Sequence, residues 1–369
     1  MSGSPVPLKR NLEKNQQKFA AIAAELAEAV SAKAFPGCAF AVLHNGELVA
    51  SQAIGRFTYD STSPAVGPDS IFDLASLTKI VATTAMAMIL YQRGILDLDM
   101  PVVAAMPEFY GDAARNQVTL RHLLAHTSGL PGYVRLFETE KTREELVLAA
   151  CRTPLEAAPG ERTMYSDIGF IILGDALVRL ADERFDRFCT REIFGPLGMR
   201  NTCFNPPENI RLQTPPTEDD RVFRRRVIQG EVNDENAGVM RGIAGHAGLF
   251  SNTSDLARFA NAILHGGLVR SDTLHVFAQP QPARAGEARA LGFDLPSAQS
   301  QSGKYFSRRS LGHLGFTGTS LWMDPERDLA IVMLTNRTWP DRSSQAIKHL
   351  RPAVHDAICE ALGLAPAKV

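Results

Sequence analysis

Charge of one sign is what this chain most clearly lacks. Its 369 residues carry 39 Lys and Arg against 40 Asp and Glu, a formal net charge of −1. Such balance leaves no electrostatic footprint for nucleic acid or for an anionic membrane surface. The basic run at 221–226 is short and reads as a solvated loop or helix face. Cysteine is scarce: Cys38, Cys151, Cys189, Cys203 and Cys359 are odd in number and never spaced Cys-x-x-Cys. That pattern is no disulfide framework; it fits free, mostly buried thiols in a reducing compartment. No apolar run is long and charge-free enough to span a bilayer. The opening thirty residues lack a signal-peptide pattern, so the expected location is cytoplasmic. None of the nine histidines pairs with another at helical metal spacing within an acidic cluster. Neither a metal nor an organic cofactor is expected, and no internal repeat is visible. A chain this long buries most of its surface and needs no covalent staples.

Strand signals sit at the two ends. Gly37-Cys38-Ala39-Phe40-Ala41-Val42-Leu43 and Glu47-Leu48-Val49-Ala50 flank His44-Asn45-Gly46, a hairpin signature. Residues 319–323 and 329–335 flank Asp324-Pro325-Glu326-Arg327-Asp328, a second hairpin with turn chemistry at its tip. Helical periodicity dominates between them, at 76–93, 120–125, 143–151, 168–181 and 254–264. An N-terminal helix over 9–32 carries Leu12, Phe19, Ile22, Leu26 and Val30 on one face; it packs on the sheet or helps form a homodimer. A last helix aligns Ile347, Leu350, Val354, Ile358 and Leu362, with Pro352 as a kink point. The pattern predicts one sheet assembled from both chain ends with a helical region inserted between them. The Pro- and charge-rich excursion at 205–236 is expected to border a site. Residues 281–310 are polar and small, with one short strand expected at 291–294.

Three segments carry candidate chemistry. In Ser76-Leu77-Thr78-Lys79, spacing i to i+3 puts the lysine amine on the serine's helix face. Serine is a poor nucleophile without an adjacent base or a favourable field. A lysine kept neutral by burial supplies the base, and one kept charged stabilises the alkoxide. The helix N-terminus adds a positive dipole end beneath the serine. In Tyr165-Ser166-Asp167, Ser166 or Asp167 caps the helix that follows. Tyr165 is either a core aromatic or a proton relay whose phenol is lowered in pKa by a nearby cation. In Gly312-His313-Leu314-Gly315-Phe316-Thr317-Gly318, three glycines in seven residues suit a strand edge approached closely by a ligand. Each segment alone also has an ordinary structural explanation.

In this order, Ser-x-x-Lys, Tyr-Ser-Asp and His-x-Gly, the segments resemble the motifs of the β-lactamase-related serine hydrolases. That family includes class C β-lactamases, low-molecular-weight penicillin-binding proteins, D-aminopeptidases and esterases. Supporting blocks agree: Leu96-Asp97-Leu98-Asp99 before Pro101, Leu123-Leu124-Ala125-His126-Thr127-Ser128-Gly129-Leu130-Pro131, and Gly245-His246-Ala247-Gly248-Leu249-Phe250-Ser251 ahead of Asp255-Leu256. The resemblance runs from about Gly37 to Thr335. It implies an α/β plus all-α architecture, a central antiparallel β-sheet flanked by helices with an inserted helical domain. The expected division is 1–80 with 290–369 for the sheet domain and 81–289 for the mostly helical one, the site lying between them.

By the same resemblance Ser76 is the acylated nucleophile, Lys79 and Tyr165 share the proton work, and the backbone N–H groups of Ser76 and Phe316 form the oxyanion hole. Asp167, His313, Gly315 and His246 support the substrate or the site; His246 is equally readable as a structural histidine beside a turn. His126 and Ser128 read as loop-structuring. Three departures bear on substrate. Leu314 stands where penicillin-recognising relatives carry a hydroxyl, and His313 is only partly charged near neutral pH. Asp167 replaces an amide donor, and if ionised raises the Lys79 pKa. The opening residues show no export-signal pattern, which a periplasmic cell-wall enzyme is expected to carry. They favour a small neutral acyl substrate, most simply a carboxylic ester, over a β-lactam. The competing readings are a β-lactamase, D-alanyl carboxypeptidase or D-aminopeptidase-like hydrolase, and a non-catalytic binding homologue.

Overall fold

The computed structural model describes residues 9–282, 285–287, 289–297 and 300–367. The N-terminal eight residues of the expected sheet domain and parts of the 281–310 stretch lie outside these. A six-stranded sheet is built from both chain ends, in the spatial order Lys9–Arg10, Glu47–Gly55, Gly37–His44, Leu329–Thr335, Ser320–Asp324, Leu311–Leu314. All pairings are antiparallel except that of Lys9–Arg10 with Glu47–Gly55. The first hairpin turns at Asn45 and Gly46, with φ of 52° and 71°. Two successive positive φ values are what a two-residue hairpin of this hand requires, and Asn-Gly meets them at low steric cost.

Side chains alternate across the sheet and serve two cores. Ala39, Ala41, Leu43, Ala330, Val332 and Leu334 join the core shared with the central helices. Cys38, Phe40, Val42, Leu329, Ile331 and Met333 join a second core, closed by Phe19, Ile22 and Leu26 from one side and Val354 and Ile358 from the other. Both faces are covered, so these strands read as unbroken apolar runs rather than as alternating ones. The helix Ile347–Ala361 runs through Pro352.

Three sequence expectations change. The N-terminal segment is not one helix: it is the strand Lys9–Arg10, a 3₁₀ stretch Glu13–Phe19 and the helix Ala20–Ser31. The segment 76–93 is a 3₁₀ turn Ala75–Leu77, a π-helical stretch Lys79–Thr84 and the α-helix Ala85–Gln92. Residues 291–294 form no strand; Asp294 makes only isolated bridges, to Arg289 and Gly312. The run 221–226 is the tip of a small hairpin between Glu218–Asp220 and Arg226–Ile228. Among the described residues no helix is long and apolar enough to cross a membrane. All five cysteines are free.

Ile331 is fully buried between the sheet and its two covering helices. Ile331→Ala is expected to cost about 2–5 kcal/mol, read as a lower urea midpoint at unchanged slope. A loss below about 1 kcal/mol would mean that this sheet face is not close-packed.

Candidate active site

Ser76 sits at the start of the composite helix, just after a backbone distortion. Ala75 has φ of 47°, a left-handed conformation that residues with a Cβ adopt only under constraint. The constraint is Asp73, buried on the short strand Phe72–Asp73. Its Oδ1 accepts the Ala75 N–H at 2.8 Å and its Oδ2 the Asn233 N–H at 2.6 Å. Burial pushes the Asp73 carboxyl up to about 6, against the pull of those two donors. Thr78 Oγ1 donates to Ala75 O at 2.6 Å and accepts the Leu249 N–H. Thr317 and Thr319 donate to Asp73 O and Leu74 O at 2.8 and 2.9 Å. The loop after His313 is thus tied to the serine turn. Gly315 is required there, because a Cβ would run into the Leu74 carbonyl and the Thr319 side chain.

Lys79 is fully buried one turn on. Its Nζ donates to Ser76 Oγ at 2.9 Å, to Asp167 Oδ1 at 2.6 Å and to His246 O at 3.0 Å. It also lies 4.9 Å from the Tyr165 ring centre and 5.6 Å from that of Phe170. Burial lowers the lysine pKa; Asp167 works in the opposite direction, as expected of an ionised neighbour, but does not win. Tyr165 donates its O–H to Ser76 Oγ at 2.7 Å. Its phenol is pushed well up by burial and by Asp167. A cation, Arg289, does pull it down as expected, but burial outweighs that pull, and Tyr165 meets the serine as a protonated donor.

The alternatives at Tyr165-Ser166-Asp167 resolve. Ser166 caps the helix Asp167–Ala181 through Gly169 N–H, which leaves Asp167 free for Lys79. His126 takes the Ser166 N–H on Nδ1 at 2.9 Å and packs against both Tyr165 and Phe170. It ties its own loop to the separate segment that carries Tyr165, through the Ser166 and Met164 N–H groups. His246 is buried and lines the pocket, with Nε2 at 2.8 Å from Asp234 Oδ1. Burial would raise the Asp234 carboxyl, yet His246 and the Ala237 N–H hold it at about 2. His313 is pushed down to about 4, chiefly by burial, so it is neutral at physiological pH. Leu314, Gly315 and Phe316 line the same cavity, about 610 Å³ in volume. The excursion at 205–236 does border it, through Asn233, Asp234 and Glu235.

Arg289 also lines the cavity, its guanidinium carbon 5.3 Å from the Tyr165 ring centre and paired with Asp294. Sequence reasoning missed Asp73, Asp234, Arg289 and the two threonines. Asp73-Leu74-Ala75 adjoins the serine motif and was the one segment with a local signal. Asp234 and Arg289 join the site only through long-range folding.

Sheet, helices and the Ser-Lys-Tyr cluster define a serine hydrolase of the β-lactamase and transpeptidase fold. The Beta-lactamase family model matches residues 18–354, and the chain belongs to that family. It is 31% identical over 346 residues to an N-acetylmuramyl-L-alanine amidase of Bacillus subtilis (strain 168), covering 83% of this chain and 78% of that one. In structure it resembles a hydrolase with promiscuous acyltransferase activity, with TM-score 0.73, 21% identity, and 92% and 99% of the two chains covered. The simvastatin synthase of Aspergillus terreus is similar to the same degree, with TM-score 0.73, 20% identity, and 92% and 98% covered.

Asp73 gives a stability signature. Its folded pKa of about 6 lies above the ordinary 3.8, so between those values the folded chain holds a proton that the unfolded chain has released. Its contribution is therefore full below pH 4 and is lost as pH rises to 6, by roughly 3 kcal/mol. Urea unfolding across pH 4–7 should show this decline in the wild type and a flatter profile in Asp73→Asn. Parallel profiles would remove Asp73 as the buried titrating clamp.

Proposed function

We propose that the protein is a carboxylesterase working through an acyl-enzyme on Ser76. The observation that carries the reading is the convergence of Lys79 Nζ and the Tyr165 hydroxyl on one serine oxygen, at 2.9 and 2.7 Å. Lys79, its pKa lowered by burial, takes the serine proton as Oγ attacks the ester carbonyl. The backbone N–H groups of Ser76 and Phe316 receive the developing oxyanion. Tyr165, a protonated phenol, gives its proton to the leaving alcohol and is reprotonated from Lys79. Water then adds to the acyl carbonyl; its proton passes through the same pair back to Ser76 Oγ as the acid leaves. Asp167 holds the lysine amine between serine and carboxylate. Gly315 lets the Phe316 peptide approach the serine turn.

An ester is favoured over a β-lactam because the strand after Gly312 offers neither hydroxyl nor cation. Leu314 is apolar, and His313 is neutral with its Nδ1 engaged by Leu314 O at 2.7 Å. The amidase-type relative supports an amide as the second reading. The proposed division remains 1–80 with 290–369 and 81–289, with the site between them. A reducing, cytoplasmic setting is supported by the five free thiols.

Ser76→Ala should lower hydrolysis of p-nitrophenyl butyrate by at least about a thousandfold, and Tyr165→Phe by about a hundredfold or more, with both proteins folded by circular dichroism. Equal rates in wild type and Ser76→Ala would end the reading. Nitrocefin turnover faster than ester turnover would replace it with the β-lactamase one.

Asp167→Asn tests the proton path. Losing this carboxylate removes the main influence that raises the Lys79 pKa. If neutral Lys79 is the base, the acid limb of kcat/KM moves to lower pH. An unmoved limb would take Lys79 out of proton transfer.

A further inference from the structure

The basic run at 221–226 is not one surface feature. Arg221 pairs with Asp219 at 2.8 Å and stays exposed. Arg224 and Arg226 instead line a second cavity, about 500 Å³ in volume, which shares no lining residue with the cavity around Ser76. Lys141, Arg211 and Arg241 line it as well, brought in from three other segments. Five cations thus meet at one hollow, against the two carboxylates of Glu140 and Glu231. Among the described residues one ion pair closes within this set: Arg226 holds both oxygens of Glu231, at 2.7 and 2.6 Å.

The other four cations have no carboxylate partner among the described residues. Lys141 Nζ and Arg211 Nε donate to backbone carbonyls, Glu138 O and Pro206 O, each at 3.0 Å. Arg241 is exposed, and its guanidinium has no partner among the described residues. Arg224 is half-buried; Nη1 and Nη2 donate to Asn233 O and Asp234 O, both at 3.0 Å. Gly238 makes room for it, because a Cβ there would meet Arg224 Nη2. Two of its five N–H donors are then used, and three remain. An excess of three positive charges on a concave wall repels itself and focuses a field that an anion relieves. Phe137, Phe223, Val232 and Val239 make the apolar part of the lining.

We propose that this second cavity binds an organic phosphate monoester. A phosphate dianion carries three acceptor oxygens, enough to be shared among guanidinium groups from separate segments, whereas one carboxylate would leave most of the excess charge unanswered. The apolar wall takes the organic body, and the volume suits a small molecule. The stretch 231–235 is the partition between the two cavities. Glu231 and Val232 line the second, and Asn233, Asp234 and Glu235 line the first. The Asn233 N–H is held by Asp73, and Asp234 holds His246. A phosphate that draws Arg224 off its two carbonyls loosens the segment that clamps the serine turn. The ligand is therefore an effector that lowers turnover, not a substrate.

Binding is read without turnover, so the site stands or falls separately from the esterase reading. Wild-type protein is titrated calorimetrically with phenyl phosphate, inorganic phosphate and phenol. Phenyl phosphate should bind about tenfold or more tightly than either of the others, and more weakly in 0.5 M NaCl. Arg241→Gln and Arg211→Gln should each weaken it severalfold with basal hydrolysis of p-nitrophenyl butyrate unchanged, and Arg241→Lys should recover part of the loss. Saturating phenyl phosphate should lower kcat severalfold at unchanged KM. Binding indifferent to both substitutions, or purely competitive inhibition, overturns the site by placing the anion around Ser76. If Arg211→Gln does not fold, the exposed Arg241 decides the case. Equal binding of inorganic phosphate overturns the ester assignment. Binding to phosphatidic acid vesicles without binding of phenyl phosphate overturns the small-molecule assignment in favour of a lipid headgroup. Phenyl phosphate binding at unchanged kcat upholds the site and ends its link to turnover.

Discussion

Everything in the site depends on one buried ammonium. Lys79 has no contact with solvent, and an unpaired charge in that position would cost several kcal/mol. The fold offsets this with Asp167, a serine hydroxyl and the His246 carbonyl, delivered by three different segments. The compensation is incomplete, and that incompleteness is the useful part. Burial still prevails and the amine loses its proton more easily than a free lysine would. A stronger acidic environment would leave Lys79 permanently charged and useless as a base. A weaker one would leave a cavity too costly to fold.

The serine is placed by a different device. Ala75 is held at positive φ, and the strain persists because Asp73, Thr78, Thr317 and Thr319 over-determine the turn. Asp73 reaches in two directions, to the turn and to Asn233. Residues after Asn233 carry Asp234, which holds His246, whose carbonyl holds Lys79. The serine turn and the lysine pocket are thus closed into one ring of hydrogen bonds. Loosening either end is felt at the other, although helix Ala85–Gln92 contributes only packing to it.

Much of this was legible in the chain. Apolar runs around Asn45-Gly46 and 324–328 located the hairpins, because turn chemistry is local. The order of Ser76, Lys79, Tyr165 and His313 located the site, because a resemblance in spacing carries three-dimensional information. Magnitudes and directions of charge were not legible. Tyr165 was expected to have a lowered phenol, since a cation lies nearby; burial, a tertiary quantity, reversed the sign. The helix at 76–93 was expected to be regular, since periodicity does not distinguish a π-helical stretch from an α-helix. The N-terminal segment read as one helix because its apolar spacing outweighed Lys9 and Arg10, which pair instead with the edge of the sheet. His126 looked like a loop residue; its tie to the Tyr165 segment, through the Ser166 N–H and ring packing, is made only in the folded chain.

The same difference between local and tertiary information decides what the cavity accepts. Read along the chain, Leu314 and His313 argue for a neutral substrate, because the segment where relatives place a cation has none that is charged. Around the folded cavity the positive charge is present but comes from residues 337–351, a segment with no motif. Phe316 joins that segment to the site: its carbonyl is held by Arg337, and its ring lies under Arg337 and Arg342, at 4.5 and 5.4 Å from their guanidinium carbons. The Phe316 peptide is therefore positioned by a residue far along the chain as well as by the close approach that Gly315 allows.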